Sequence, residues 1–500
     1  MDKLTPEIIF GVIALYFLVL MAVSYFTSRN ADNADFFLAN RKSPWYLVAF
    51  GMIGASLSGV TFISLPGAVG GGGANQAFSY MQMVFGYLVG YAVIALVLLP
   101  LYYRMNLTSI YGYLEKRFGL WSYKTGAFYF LLSRIIGASL RLFLVAIVFL
   151  QIAQGFDMVI PFWAVVAVTI LLIWIYTFQG GIKTIVWTDT LQTFFMLTAV
   201  VLTILAIGNA LDKSSGDLVA TIQQSDYSQM FFFDDFMTDS NNFFKQFISG
   251  ALIAIVMTGL DQDMMQKNLS CRTLGDAQKN VLAFSIVLVF VNMLFLGLGA
   301  LLYIYAANVG IEIPERTDQL FSTIALEHLS PWVGIVFILG LIAAAYSSAD
   351  SALTALTTSF CVDFLGMEKN EKSEEENKKT RWMVHIGFSV VLFLVIILSY
   401  YLTDKPVINN LFKASGYTYG PLLGLFTFGL FSKNKIQDGW MVPVICVAAP
   451  LITYFLEFND LFIGFKLGFL NIAMNGLLTF LGLLAISYWE PGEEENILDS

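Results

Sequence analysis

Three side-chain oxygens share one face of a predicted membrane helix. The run from Ala343 to Ser351 places Ser347, Asp350 and Ser351 at positions i, i+3 and i+4, which lie on the same helical face. Hydroxyl and carboxylate oxygens are hard ligands that suit a hard cation such as sodium. Because a carboxylate within an apolar span is costly unless it is paired, Asp350 is a functional candidate. The alternative is a hydrogen-bonded helix contact in which Asp350 is protonated.

A second segment is rich in residues that disrupt a helix. Gly51 to Gly67 contains four glycines and Pro66, interspersed with serine and threonine. Unwound backbone in a bilayer persists only where it is buried in protein or lines a cavity. Carbonyl groups released there could bind a cation. A seam of small residues for helix packing is the alternative interpretation.

Three further charged residues lie in or beside apolar runs. Asp189 stands near the start of a predicted span, and it could be a second cation ligand or the partner of an arginine. Arg134 and Arg141 are seven residues apart and therefore lie on nearly the same helical face. A buried arginine needs a carboxylate, which Asp189, Asp350 or an anionic group of a substrate could supply. Both an internal ion pair and substrate binding stay open.

The composition requires a membrane around these residues. The 500-residue chain is 57% hydrophobic and 13% charged, whereas soluble domains carry roughly a quarter charged residues. Its apolar residues form continuous runs long enough to cross a hydrocarbon core of about 30 Å, which indicates helices and excludes a transmembrane barrel. The net charge of -9 argues against nucleic-acid binding. We predict an all-α polytopic protein in the lipid bilayer.

Hydropathy, turn residues and charges divide the chain into thirteen predicted spans. An odd number of spans puts the two termini on opposite sides of the membrane. The predicted spans are 6–27, 45–69, 76–104, 122–153, 160–180, 185–211, 243–264, 279–308, 331–363, 382–403, 407–431, 439–456 and 461–488.

Lysine and arginine are unevenly distributed between the two sets of loops. With the N-terminus outside, eighteen of the 27 lie in cytoplasmic segments, Lys267 among them, five lie outside and four lie within spans. Because positive residues concentrate on the cytoplasmic side, we predict an inner (plasma) membrane protein with its N-terminus outside. The short tail, 489–500, is then cytoplasmic.

The spans suggest two five-helix repeats, 45–211 and 243–431. Each begins with an interrupted helix, at Gly51 to Ser56 in the first and at Thr258 to Asp263 in the second. Paired interrupted helices in corresponding positions are typical of inverted-repeat transporters, whose binding site lies near the middle of the bilayer.

Together these segments resemble the sodium/solute symporter family. The resemblance runs from about residue 7 to residue 487 and includes Ala34 to Phe37, Gly180 to Gln192 and the serine-rich ninth span, in that order. It implies a LeuT-type 5+5 inverted-repeat core with one additional N-terminal helix and two additional C-terminal helices.

Within this family, Gly54 to Phe62 looks most like the bacterial sialic acid branch. The resemblance implies a sodium site built from two backbone carbonyls and three side chains of the ninth span, and a second sodium site that includes Asp189 with Asp350 and Ser351. It also implies that two hydroxyls of the second span face the substrate. The implied residues are Gly54, Leu57, Ser347, Asp350 and Ser351 for the first sodium, and Ser58 and Thr61 for the substrate.

The chain departs from that branch at two places. Serine stands in the branch where this chain has Asp350, although choline-transporting relatives have a similar serine and aspartate run. The arginine that binds the sialic acid carboxylate aligns near Gly137, with Arg134 and Arg141 about one turn away on either side. Arg141 and Gln82 complete the predicted substrate set.

We therefore expect a secondary active symporter that imports a small polar organic solute with one or two sodium ions by alternating access. The solute would be a sugar, a sialic-acid-like molecule or another organic anion. An amino acid symporter, a vitamin-like anion symporter and a transporter-like solute sensor are the alternatives. An enzyme is not expected, since the sequence holds no cluster of acid, base or metal-ligating groups at one membrane interface. The oligomeric state stays open.

Overall fold

The computed structural model describes residues 5–28, 33–177, 181–367, 372–402, 407–458 and 464–489. Residues 490–500 of the predicted tail lie outside the described residues. The α-helices in chain order are α1 (Pro6–Ser28), α2 (Asn33–Leu38), α3 (Trp45–Ala68), α4 (Tyr80–Val93), α5 (Leu99–Arg104), α6 (Gly112–Arg117), α7 (Leu120–Gly155), α8 (Phe162–Thr177), α9 (Gly181–Ala210), α10 (Ser215–Gln223), α11 (Phe243–Ala254), α12 (Gln262–Leu269), α13 (Leu274–Val309), α14 (Leu320–Thr323), α15 (Pro331–Ser359), α16 (Glu374–Leu402), α17 (Val407–Phe431), α18 (Met441–Phe458) and α19 (Asn471–Ala485).

Single π-helical turns extend or connect several of these helices. They lie at Ile94–Leu98 between α4 and α5, at Ile255–Gly259 after α11, at Ile324–His328 after α14 and at Phe360–Phe364 after α15. Two short strands, β1 (Lys435–Ile436) and β2 (Ser487–Tyr488), pair antiparallel. This pairing ties the segment before α18 to the end of α19.

Within the described ranges, nine helices are long and apolar enough to cross a membrane, and a bent pair formed by Phe243–Gly259 and Gln262–Leu269 is a tenth candidate. These ten coincide with ten of the thirteen predicted spans. Helices α8, α17 and α18 occupy the other three predicted positions, but they are shorter or more polar. The chain is thus all-α and polytopic, while the count of thirteen stays a prediction.

The structure breaks α3 within the predicted segment. Ser58 has φ 54° and ψ 175°, a left-handed φ that a residue with a side chain rarely adopts. A helical segment that ends at Leu57 leaves the carbonyls of its last turn, from Gly54 to Leu57, without regular helical partners. The break therefore offers backbone oxygens in the middle of a buried helix.

The second predicted break separates α11 from α12, whose axes differ by 65°. The Asp261 carboxylate caps the start of α12 by accepting hydrogen bonds from the backbone N–H groups of Asp263 (3.0 Å) and Met264 (3.3 Å). A side-chain oxygen at this position satisfies backbone donors that the helix cannot. The cap therefore fixes where the new helix begins and which way its side chains point.

Small residues let α3 approach α9 and α15 closely. A Cβ atom added at Gly51 would lie 3.0 Å from the Cβ of Asp189, and one added at Gly59 would lie 3.8 Å from the Cα of Ala345. The Gly54 N–H donates to Thr193 Oγ1 at 3.0 Å. Glycine at helix contacts is the usual means of close packing in membranes. The break in α3 is thereby held beside the polar faces of α9 and α15.

Candidate functional site

A cavity opens beside the break in α3. Small-molecule sites in proteins are concave and combine apolar walls with a few polar groups. Ser58, Thr61 and Arg141, all predicted to face the substrate, line it together with residues of α4, α11, α13 and α17. The structure therefore brings three of the four predicted substrate residues to one cavity.

One wall of the cavity is aromatic. Tyr80, Tyr87 and Tyr91 of α4 line it, and the hydroxyls of Tyr80 and Tyr87 are 3.0 Å apart. Phe412 of α17 stacks on Tyr80 with 6.2 Å between ring centroids. Tyrosine presents both an apolar ring and a polar hydroxyl, so this wall suits a solute with alternating apolar and hydroxyl-bearing faces.

Arg141 supplies a positive charge to the cavity. Its side chain is buried, and neither Nε nor Nη1 has a hydrogen-bond partner among the described residues. Burying a charged group without a partner costs several kcal/mol. The rest of the folded structure must offset this cost, and a bound anion would remove most of it.

Arg134, two turns earlier on α7, has partners. Its guanidinium forms an ion pair with Asp263 and lies 3.8 Å from Asp261 Oδ2, which also accepts a hydrogen bond from the Tyr419 hydroxyl. The predicted partners, Asp189 and Asp350, are wrong for this arginine. The reason is that the bend between α11 and α12 turns the two acids of that segment toward α7.

Lys267, predicted to lie in a cytoplasmic loop, is instead buried in a helix. It lies in α12 with 1% of its surface exposed. Its Nζ is 2.8 Å from Asp189 Oδ2 and 3.8 Å from Asp263 Oδ1, and it donates to Ser351 Oγ at 2.7 Å. The bend after Leu260 carries this polar turn into the protein interior.

The predicted cation ligands on α15 are together and fully buried. Ser347 Oγ donates to Asp189 Oδ1 at 2.7 Å, which joins α15 to α9. Ser351 Oγ donates to the Ser347 carbonyl at 2.8 Å, and Asp350 Oδ1 accepts the Ser351 N–H at 2.6 Å. Five oxygens of the types that bind hard cations thus lie close together in the buried interface between α9 and α15. Gly54 and Leu57 lie in the last turn of α3 before the break; the Gly54 N–H donates to Thr193 of α9, and Leu57 lines the cavity.

Gln82 does not line the cavity. Its Nε2 donates to the carbonyls of Ser79 (3.2 Å) and Asn241 (2.8 Å), and its Oε1 accepts the Phe232 N–H at 3.0 Å. These bonds fasten α4 to the segment before α11. We correct the predicted substrate role of Gln82 to a structural one, because both ends of its amide are occupied.

Sequence reasoning missed the acids at the bend as charge partners. Asp261 and Asp263 interrupt an apolar span as Asp350 does, and the same cost of burial should have marked them as partners for arginine. The tyrosines of α4 carried no such signal, since aromatic residues are common throughout the chain. The burial of Lys267 was not predicted, because a polar turn after an apolar run is usually a loop.

Residues 36–446 match the family model of the sodium:solute symporter family, which is most of the chain. The chain belongs to the sodium:solute symporter family. This symporter is 25% identical over 484 residues to the sodium/sialic acid symporter NanT of Aliivibrio fischeri (strain ATCC 700601 / ES114), covering 93% of this chain and 91% of NanT. It is also 25% identical over 490 residues to SiaT, the sodium/sialic acid symporter of Proteus mirabilis (strain HI4320), covering 94% of each.

The solved structure of a Na+-coupled sialic acid symporter, in a substrate-bound outward-open state, superposes with a TM-score of 0.81 at 19% identity, covering 95% of this chain and 97% of that one. This likeness confirms the predicted LeuT-type fold. Family membership confirms a multi-pass membrane transporter that couples a small-molecule solute to sodium, and it confirms a transporter instead of an enzyme.

Proposed function

We propose that this symporter imports a hydroxyl-rich carboxylate of the sialic acid type together with sodium. The observation that carries the proposal is the Arg141 guanidinium, which lines the cavity and has two nitrogens without a hydrogen-bond partner in the described ranges. Guanidinium binds a carboxylate through two parallel, charge-assisted hydrogen bonds. The similarity to NanT and SiaT, which are sodium/sialic acid symporters, supports the same class of solute.

The rest of the cavity suits the remainder of such a solute. Ser58 and Thr61 place hydroxyls on the wall formed by α3, and Tyr87 and Tyr91 face them from α4. Hydroxyls both donate and accept hydrogen bonds, so they can pair with the hydroxyl groups of a sugar acid. A solute with one carboxylate and several hydroxyls would use both the charged and the neutral ends of the cavity.

Sodium would bind where α3 meets α15. The carbonyls released by the Ser58 break and the oxygens of α15 are the ligand types that bind sodium at broken helices. A cation shared by the two helices favours the conformation in which they are correctly spaced, and this prepares the adjacent cavity for solute. We assign this sodium to the carbonyls of Gly54 and Leu57 and the side chains of Ser347, Asp350 and Ser351.

The proposal also includes the orientation of the protein in the membrane and the two segments that move during transport. Both Lys267 and Lys245 are buried; without them, seventeen basic residues remain in the predicted cytoplasmic segments against four outside. The bias still favours an N-terminus outside the cell and a plasma-membrane location. The segments 45–211 and 243–431 would form the two repeats, and alternating access would arise from movement of one against the other.

A thermal-shift screen tests the proposal. Purified protein would be heated with candidate solutes in sodium chloride and, as control, in potassium chloride. A ligand that binds the folded state raises its unfolding temperature, so we expect sialic-acid-like carboxylates to do so only with sodium. Stabilisation by neutral sugars alone would contradict an anionic solute, and stabilisation equal in potassium would contradict sodium coupling.

Because the solute is charged, the number of sodium ions that accompany it determines whether the membrane potential drives uptake. Each sodium entering through a potential of 100 mV contributes about 2.3 kcal/mol. A monocarboxylate carries one negative charge, which cancels the charge of one accompanying sodium. Whether the membrane potential drives uptake thus depends on whether a second sodium moves.

A further inference from the structure

A proline removes one backbone hydrogen bond from α17 without ending the helix. α17 runs from Val407 to Phe431, and Pro421 lies inside it. In a regular helix, the N–H of residue 421 would donate to the carbonyl of Tyr417, four residues earlier. Proline has no N–H, and its ring also pushes against that carbonyl. The Tyr417 carbonyl therefore lacks the backbone donor that the helix would otherwise provide.

A side chain of α19 supplies the missing donor. Asn475 Nδ2 donates to the Tyr417 carbonyl at 2.9 Å and to the Gly416 carbonyl at 3.0 Å. The Asn475 side chain is fully buried. Leaving an acceptor without a partner in the interior of a membrane protein costs more than a typical hydrogen bond contributes. The Asn475 amide thus takes the place of the N–H that Pro421 lacks.

Close packing of the two helices fixes the position of this amide. Gly416, Gly420 and Gly424 are spaced four residues apart on α17. A Cβ atom added at Gly420 would collide with Asn475, and one added at Gly424 would collide with Thr479. Small residues at this spacing let two membrane helices approach each other closely. The Asn475 side chain is therefore confined against the α17 backbone.

The part of α17 that precedes Pro421 makes the contacts of this helix with the cavity. Phe412 lines the cavity and stacks on Tyr80. The Tyr419 hydroxyl donates to Asp261, which caps α12. None of the described residues that line the cavity belongs to α19. A change in the direction of α17 at Pro421 would therefore displace the cavity wall, although α19 itself does not line the cavity.

We propose that Asn475 is a positioning residue for solute binding. It completes the hydrogen bonds of α17 at Pro421, and it thereby sets the direction of the half of α17 that brings Phe412 to the cavity. The inference rests on the proposed function, which places the solute in that cavity. It also gives α19, which follows the two predicted repeats, a role in solute binding.

Removing the amide tests this inference. Asn475→Leu keeps a side chain of similar volume but loses the donor, so the Tyr417 carbonyl is left without a partner. The probe is radiolabelled N-acetylneuraminate, a sialic acid, bound in sodium chloride at a temperature at which each variant is folded. We expect its dissociation constant to rise by roughly tenfold, the factor that corresponds to the loss of one good hydrogen bond.

A double variant shows whether Pro421 is the reason that the amide matters. Pro421→Ala restores a backbone N–H to the Tyr417 carbonyl. Added to that background, Asn475→Leu should change the dissociation constant by less than about twofold. Asn471→Leu is the matched control: Asn471 lies one turn earlier on α19 and donates to the Lys413 carbonyl at 3.2 Å. No proline lies four residues after Lys413, so this carbonyl keeps its backbone donor and we expect native affinity.

Hydrogen–deuterium exchange provides a second measurement that needs no solute. Backbone amides exchange when the segment that contains them opens. In Asn475→Leu, we expect faster exchange in the part of α17 that precedes Pro421, with native rates in α13. The double variant should differ little from Pro421→Ala alone, and Asn471→Leu should keep native rates in both helices. A general loss of stability would instead speed exchange in α13 as well.

Native affinity in Asn475→Leu would overturn the inference. An equal loss of affinity when Asn475→Leu is added to Pro421→Ala would also overturn it, because the missing N–H would then be irrelevant. If Asn475→Leu does not fold, recovery of folded protein in the double variant supports the inference, and failure of both to fold contradicts it. Native protein that does not bind N-acetylneuraminate in sodium would overturn the proposed function, while exchange in α17 would still decide whether Asn475 positions that helix.

Discussion

Arg134 and Arg141 lie two turns apart on α7 and both line the cavity, but their charges are compensated differently. Arg134 pairs with Asp263 and lies near Asp261, whereas Nε and Nη1 of Arg141 have no hydrogen-bond partner in the described part of the chain. A paired buried charge contributes to the folded structure, since removing either partner strands the other. An unpartnered buried charge costs stability and suits a ligand. On the proposed function, Arg134 therefore stabilises the fold and Arg141 binds the solute.

Removing Asp263 should have the largest effect. Asp263→Ala would remove the ion-pair partner of Arg134 and one of the two carboxylates near Lys267, and loss of one partner of a buried ion pair typically costs about 3–5 kcal/mol. We expect a large fall in unfolding temperature and poor recovery of folded protein by size-exclusion chromatography. Asp226→Ala, on an exposed turn, is the control and should change stability by no more than about 0.5 kcal/mol.

If Asp263→Ala unfolded at the native temperature, the buried ion pair would not hold α12 against α7. Arg134 would then be free to bind solute, and the distinction between the two arginines would fail.

Exchanging each arginine for methionine tests the contrast directly. Arg141→Met removes a buried charge whose Nε and Nη1 have no hydrogen-bond partner among the described residues, so we expect stability equal to or above the native value. Its affinity for a carboxylate solute should fall by about 2–5 kcal/mol, the usual cost of truncating a buried charge pair. Arg134→Met should show the opposite pattern. Its main effect should be a loss of stability, because Asp261 and Asp263 lose their charge partner.

Unfolding curves and solute binding would be measured on the same preparations. Unchanged carboxylate affinity in Arg141→Met would assign that arginine to structure, and the cavity would then need another anion-binding group.

The elements that depend on hydropathy and on helix-breaking residues could be predicted from the sequence. Ten predicted spans coincide with the long apolar helices or the bent pair, because bilayer thickness sets their length. The break at Ser58 and the shared face of Ser347, Asp350 and Ser351 follow from local composition and helical periodicity. These features depend on residues close together in the chain.

What the sequence could not predict are the pairs between distant segments. Arg134 meets Asp263 and Lys267 meets Asp189 only because α12 bends 65° from α11 and turns inward. Hydropathy identifies an interruption but gives neither the bend angle nor the direction of the following turn. Gln82 shows the same limit, since a polar residue in a span can face a cavity or fasten a loop.

The close approach of α3 to α9 should be the next most sensitive feature, because it keeps the break beside the polar faces of α9 and α15. A Cβ at Gly54 would collide with Thr193 Oγ1, whereas one at Gly387 of α16 meets nothing within 4 Å. Overpacking of this kind typically costs about 1–3 kcal/mol. We expect Gly54→Ala to lower the unfolding temperature and to raise the sodium concentration needed for half-maximal binding. Gly387→Ala, in an exposed part of a helix, should be neutral or slightly stabilising.

Should Gly54→Ala keep both the stability and the sodium affinity of the native protein, α3 would tolerate displacement. Its carbonyls would then not be placed by the contact with α9.

The smallest effect should come from a paired charge that water reaches. Lys413 Nζ lies 2.9 Å from Glu457 Oε1, but the two side chains are 52% and 23% exposed. Such pairs contribute about 0–1 kcal/mol and weaken as salt screens them. Lys413→Met should therefore change stability slightly, since Glu457 keeps the hydrogen bond of the Tyr417 hydroxyl. Measured in choline chloride, this small loss should vanish at high salt while that of Asp263→Ala persists. A loss comparable to that of Asp263→Ala would mean that pairing alone, and not burial of the pair, decides which charges hold this fold together.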